Sequence, residues 1–163
     1  MNSYTMTLSG VPPTATAQQK GVFVRNGRAH FFTKAKVKAA ERTWRDMLTP
    51  HRAAIGETID APVGVSVRFV FPYLASTPKR IVKAGIEIPQ GRRPDIDNLL
   101  KALLDTMTQM TFWRDDGLIV SLHAEKWRGP EPRTDITVNL IATPSLHARL
   151  TAAECPQQGT LQL

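Results

Sequence analysis

The chain has 163 residues, 42% of them hydrophobic, and a formal net charge of +7, values that suit one soluble domain with a sizeable core and a polyanionic partner. No apolar run approaches the ~18 residues of a membrane span, and no basic-then-apolar signal pattern opens the chain. Cys155 is the single cysteine, which excludes an internal disulfide and a thiolate zinc site and points to a reducing cytoplasm.

From Ser3 to Leu8 the residues alternate, with Tyr4, Met6 and Leu8 on one face, which predicts a strand that Pro12-Pro13 then stops. Within residues 20–33, Asn26-Gly27 is a tight-turn signal flanked by Phe23 and Phe31-Phe32, so a hairpin is expected. Its phenylalanines belong either to the core or to a basic surface that presses on DNA. Thr33 is a candidate cap for a helix over 34–49, with Val37, Ala40, Trp44, Met47 and Leu48 as its apolar stripe. Lys34, Lys38, Arg42 and Arg45 fall on a neighbouring face and form a candidate DNA-backbone ridge, with a simple solvated face as the alternative. Residues 20–52 hold nine Lys or Arg against two acids, a local balance of +7.

Val63, Val65, Val67, Phe69 and Phe71 alternate without a break and predict the clearest strand of the chain. Pro72 to Gln90 reads as an exposed basic loop carrying Lys79, Arg80 and Lys83, and it leads into Arg92 and Arg93 as further candidate DNA contacts. If Asp95-Ile96-Asp97 ends a strand, both carboxylates point to one face, and Asp97 also suits an N-cap. Leu100, Leu103, Leu104, Met107 and Met110 then predict an amphipathic helix over 98–110. Lys101 stands one turn after Asp97, and Asp115-Asp116 follow where the helix should end. A strand over 118–127 and a last one through Ile136, Val138 and Leu140 complete a domain over 1–141, with 142–163 a loosely ordered tail.

Residues 95–116 form an acidic island of −3 in a basic chain. Four carboxylates brought together repel one another unless a cation sits among them. Hard oxygen donors without histidine at ligand spacing favour Mg²⁺, or Mn²⁺ in its place, over zinc. His30, His51, His123 and His147 are scattered. Taken singly, Asp97 is an ordinary helix cap and Asp115-Asp116-Gly117 an ordinary turn; their joint placement around one helix with Lys101 between them points to a metal site. Glu125 is open to two readings, a further ligand or a surface ion pair.

The run RPDIDNLLKALLDTMTQMTFWRDDGLIVSLHAEKW resembles the RusA family of Holliday-junction endonucleases. The pattern, R-x-D-[LI]-D-N-L-x-K, a helix, then D-D before a strand ending near a lysine, is met by Arg93, Asp95, Asp97, Asn98, Leu99, Lys101, Asp115, Asp116 and Lys126. The resemblance implies catalytic acids Asp95, Asp97 and Asp116 and an essential Lys101; Asp115, beside Asp116, reads as a further metal ligand or an orienter of one. After Pro13 the chain departs from the family, with Ala15-Thr16-Ala17-Gln18-Gln19 where relatives carry an asparagine and aromatics.

The expected fold is α+β, a mixed sheet with packed helices in the order β, hairpin, α, β, α, β, β. The expected function is Mg²⁺-dependent cleavage of branched DNA, four-way junctions, by a homodimer, with no membrane partner. Lys101 would either lower the pKa of the attacking water or neutralise transition-state charge. The alternatives are a non-catalytic basic DNA-binding module, another Mg²⁺-dependent D-x-D phosphotransfer enzyme, or a structural accessory protein. None of these explains both the charge and the acid pattern.

Overall fold

The computed structural model describes residues 3–15 and 20–141. Seven strands and three helices occur in the order β1 (Ser3–Ser9), β2 (Lys20–Arg25), β3 (Arg28–Thr33), α1 (Ala35–Ile55), β4 (Val63–Pro72), α2 (Lys79–Ala84), β5 (Ile88–Pro89), α3 (Ile96–Gln109), a 3-10 turn (Asp116–Leu118), β6 (Ile119–Gly129) and β7 (Arg133–Leu140). Five strands make one mixed sheet in the order β1-β7-β4-β6-β5. All its pairings are antiparallel except β4 with β6, which run parallel because α2, β5 and α3 form the crossover between them. The fold is α+β, as the sequence predicts.

One face of the sheet is the core. Leu8, Thr134, Phe69 and Lys126 make one row across β1, β7, β4 and β6, and Met6, Ile136, Val67 and Ala124 the next. On β4 the alternating Val63, Val65, Val67, Phe69 and Phe71 are all buried. Against them lie Trp44 and Leu48 of α1 and Leu99, Leu103 and Met107 of α3, while Val37 and Ala40 of α1 are also buried. Trp44 meets Phe69 edge to face at 6.4 Å between ring centroids. Each such fully buried large side chain contributes about 1.5–3 kcal/mol of transfer free energy.

The other face is polar. Arg68 bonds Glu87 at 2.6 Å and lies 4.6 Å over the Trp127 ring, and Arg133 bridges Glu87 and Asp135, each at 2.9 Å. Glu125 belongs to this network. The Trp127 indole N–H and then His123 hydrogen-bond its carboxylate, and with the Arg68 charge nearby they hold its pKa below the ordinary carboxylate value. Of its two readings, the ion pair is the one the structure contains.

Several boundaries differ from expectation, each for a local reason. Helix α1 starts after Lys34, whose side chain makes no cap bond, and runs to Ile55 through Pro50. Pro50 has no N–H to donate, but the helix is held on both sides of it. Trp44 and Leu48 are packed before it; after it, Arg52 donates to the carbonyls of Met110 (3.0 Å) and Gly56 (2.7 Å). The stretch 72–90 is not a plain loop. Lys79–Ala84 forms a short helix ended by Gly85 in the left-handed region, and Ile88–Pro89 adds the edge strand. The hairpin forms as predicted, with Asn26 at φ 52° and Gly27 at φ 71°, the pair of positive angles a two-residue turn of this kind needs. The side chains of Phe23, Phe31 and Phe32, and the tail 142–163, lie outside the described residues.

Candidate active site

Asp95-Ile96-Asp97 does not end a strand. Asp95 is the residue before α3 and Asp97 sits in its first turn, so the N-cap is Asp95, not Asp97. Neither the hydrophobic run nor the turn signals reveal this shift, because Ile96 is only half-buried and joins the helix without being part of its core stripe. The Asp95 carboxylate makes no cap hydrogen bond; its backbone carbonyl accepts the Leu99 N–H at 3.2 Å. The apolar stripe also turns. Leu99, Leu103 and Met107 are fully buried, whereas Leu100 and Leu104 are half-exposed and face a trough.

That trough, of about 470 Å³, runs along the seam between α3 and the start of β6. Asp97, Lys101 and Asp105 line it from the helix, and Asp116 and Ser121 line it from the returning chain. Leu100, Leu104, Ile119, Val120 and Leu122 form its apolar wall, and Val120 and Leu122 are half or more exposed. Helix and strand run in opposite directions. Lys126 near the end of β6 touches Pro94 just before α3, while Ser121 and Leu122 near its start share the trough with Leu104 and Asp105.

Asp97, Lys101 and Asp105 recur every four residues, so they make a row along one helix face that spans about 12 Å at 1.5 Å per residue. Lys101 Nζ bonds Asp105 Oδ1 at 3.4 Å, and the lysine side chain is 65% exposed. Asp105 had a readable signal, its spacing from Asp97 and Lys101, but an i,i+4 acid–base pair reads as ordinary helix surface.

Of the second acid pair, only Asp116 lines the trough. Asp115 is turned inward on its own chain, where Oδ1 accepts the Gly117 N–H at 2.7 Å and caps the 3-10 turn. A Cβ at Gly117 would stand 2.8 Å from that oxygen, so a larger residue there would push the Asp115 carboxylate out of this position. Asp95 and Asp115, both candidate ligands from the sequence, are exposed but do not line the trough. Among the described residues no three carboxylate, imidazole or thiol side chains gather closely enough to enclose an ion. The acids of one chain form a row, not a cage. Their chemistry still suits Mg²⁺, which takes one or two carboxylates, keeps several waters and completes its shell with substrate phosphate oxygens.

The basic candidates are all on the surface. Lys34, Lys38, Arg42 and Arg45 are exposed along α1, as are Lys79, Arg80 and Lys83 on α2, and Arg92 and Arg93 before α3. Arg45 is engaged by Gln109 of α3 through its guanidinium. If the α1 ridge binds phosphates, replacing Lys38 and Arg42 by alanine lowers affinity for every DNA shape, and the slope of log K against log salt falls by about two. An unchanged slope makes the ridge a solvated face.

Residues 11–139 match the family model described as endodeoxyribonuclease RusA. This chain belongs to the RusA family. A crossover junction endodeoxyribonuclease of Lactococcus phage r1t is 28% identical over 123 residues, which cover 76% of this chain and 87% of that protein. The crossover junction endodeoxyribonucleases of Shigella sonnei (strain Ss046) and Escherichia coli (strain K12) are each 27% identical over 126 residues, 77% of this chain and 84% of theirs. For a RusA-family chain the acid row and the basic surface no longer stand as separate features, since an endodeoxyribonuclease has to neutralise phosphates and activate water in one place.

Proposed function

We propose that this protein is a Mg²⁺-dependent endonuclease that resolves four-way DNA junctions as a homodimer. The observation that carries this reading is the trough, in which Asp97, in the first turn of α3, and Asp116, beyond its end, share walls with Lys101. Asp97 and Asp116 would hold the cation, and Asp95, at the N-cap of α3, is the further acid that the family pattern offers. Mn²⁺ would serve the same oxygen donors. A divalent ion held there would supply an activated water and stabilisation of the departing 3′ oxygen.

The chain's own residues do the rest. Lys101 places its ammonium between two acids of the row, where it can lower the pKa of the attacking water or neutralise charge on the phosphate in the transition state. Leu100, Leu104 and Leu122 give the trough an apolar wall beside the charged row. Asp115 acts by shaping the turn that presents Asp116. Lys38, Arg42, Lys79 and Arg80 offer positive charge to the arms of the substrate.

The test is nicking of end-labelled four-way junctions, linear duplex and single strands by purified protein, with Mg²⁺ or with chelator. Magnesium-dependent cuts confined to the junction support the reading. Equal cutting of all three substrates would remove the structure selectivity, and tight binding without any cut would leave a non-catalytic DNA-binding module.

Two symmetric cuts need two sites, and two-fold pairing is the commonest oligomer symmetry. Active protein mixed with an excess of Asp97→Asn protein is therefore expected to nick one strand and rarely to release paired duplex products. Full resolution in proportion to the remaining active chains would rule out the dimer.

A further inference from the structure

Three consecutive backbone carbonyls ahead of the first acids are each gripped by a side chain. Lys126 Nζ donates to the Arg92 carbonyl at 2.8 Å and to the Pro94 carbonyl at 2.5 Å. Gln90 Nε2 donates to the Arg93 carbonyl between them at 3.3 Å. Gln90 is buried, and its own N–H donates to the Lys126 carbonyl at 2.9 Å, so the two gripping residues are tied to each other.

A lysine in a DNA-cutting protein is by default a phosphate contact. Lys126 is placed for something else. Its side chain rises from the helix-covered face of the sheet, in the row of Phe69, and two of its three donors are spent on carbonyls. The start of α3 needs such support. No side chain caps it, and a helix end without a cap is left with unsatisfied N–H groups and frays. Asp95 follows Pro94 directly and Asp97 lies two residues further on, so whatever holds the Arg92–Pro94 backbone sets where both acids stand.

We propose that Lys126, assisted by Gln90, is a positioning residue that clamps the Arg92–Pro94 backbone and so fixes where Asp95, at the start of α3, and Asp97, in the trough, stand. The proposal rests on the nuclease reading above, because it assigns those acids a task. It also makes a claim about the DNA-free protein that stands apart from activity.

Lys126→Met keeps the length of the stem and removes the donors. Amide hydrogen exchange of the DNA-free variant is expected to speed about tenfold or more at Leu99, Leu100 and Lys101, while Phe69 and Ile136 stay protected. Single-turnover cleavage at saturating junction is expected to fall about tenfold or more, with the salt slope of binding unchanged. Lys126→Arg, which retains the charge and has donors enough for two carbonyls, should recover most of both. Gln90→Leu should reproduce the exchange change in smaller size. A salt slope lower by about one, with a wild-type rate at saturation, would make Lys126 a phosphate contact and overturn the proposal; so would unchanged exchange at Leu99 to Lys101. If the wild-type protein itself cuts no DNA, the nuclease reading fails, and the exchange arm still decides the clamp.

Discussion

Asp97→Asn and Asp116→Asn are each expected to reduce single-turnover cleavage of a four-way junction by on the order of a thousandfold, the scale on which losing one group that stabilises transition-state charge is felt. Asparagine keeps the size of the side chain and removes its charge. Binding in metal-free buffer should be equal or tighter, because a carboxylate that meets the DNA backbone repels phosphate. Asp115→Asn is expected to behave differently. Its oxygen accepts the Gly117 N–H, and an amide oxygen can still do so, so activity should fall by much less. Equal losses at Asp115 and Asp116 would mean that the pair acts as a unit, and that the division of labour drawn from the 3-10 turn is wrong.

The second large effect is expected at Lys101. Its ammonium is exposed and tethered to Asp105 at 3.4 Å within the acid row. Lys101→Ala should lower the rate at saturating DNA by about a hundredfold to a thousandfold while moving the binding constant little, which marks an interaction made in the transition state. Asp105→Asn should cost less, since it releases the ammonium without removing it. A Lys101→Ala protein that binds more weakly but cuts at the normal rate when saturated would reduce Lys101 to a phosphate contact. The tether itself is an exposed i,i+4 pair and contributes little to stability, about 0.3–0.5 kcal/mol.

Much of this arrangement is legible in the sequence. The alternation at Val63 to Phe71 marks the central strand, because a half-buried strand leaves a period of two in the residues themselves. Asn26-Gly27 marks the hairpin because few residue pairs accept two positive φ angles. What is not legible is mostly a matter of tertiary support. Pro50 is a stop signal that α1 ignores, since Arg52 and the packed Trp44 and Leu48 hold the helix on both sides of it. Leu100 and Leu104 have the right period for a core stripe, but hydrophobicity alone does not tell a core wall from a trough wall, and Leu99 takes the core position instead. The same holds for the acids. Their spacing identifies the segment, while their layout as a row depends on how α3 lies along β6. Lys126 is the clearest case, for only the fold brings its ammonium to the Arg92 and Pro94 carbonyls 34 and 32 residues away.

On the proposed reading the cutting ion is held in the trough between α3 and β6, against Asp97 and Asp116. Iron-directed scission tests it most directly. Fe²⁺ replaces Mg²⁺ on oxygen ligands, and with ascorbate and peroxide it breaks the polypeptide only near the place where it is bound. With a four-way junction bound, scission is expected around Asp95–Asp97 and around Asp116, suppressed by excess Mg²⁺ and absent from Asp97→Asn protein. Magnesium-suppressible scission centred elsewhere, for instance on the polar sheet face at Glu87, Glu125 and Asp135, would contradict the account.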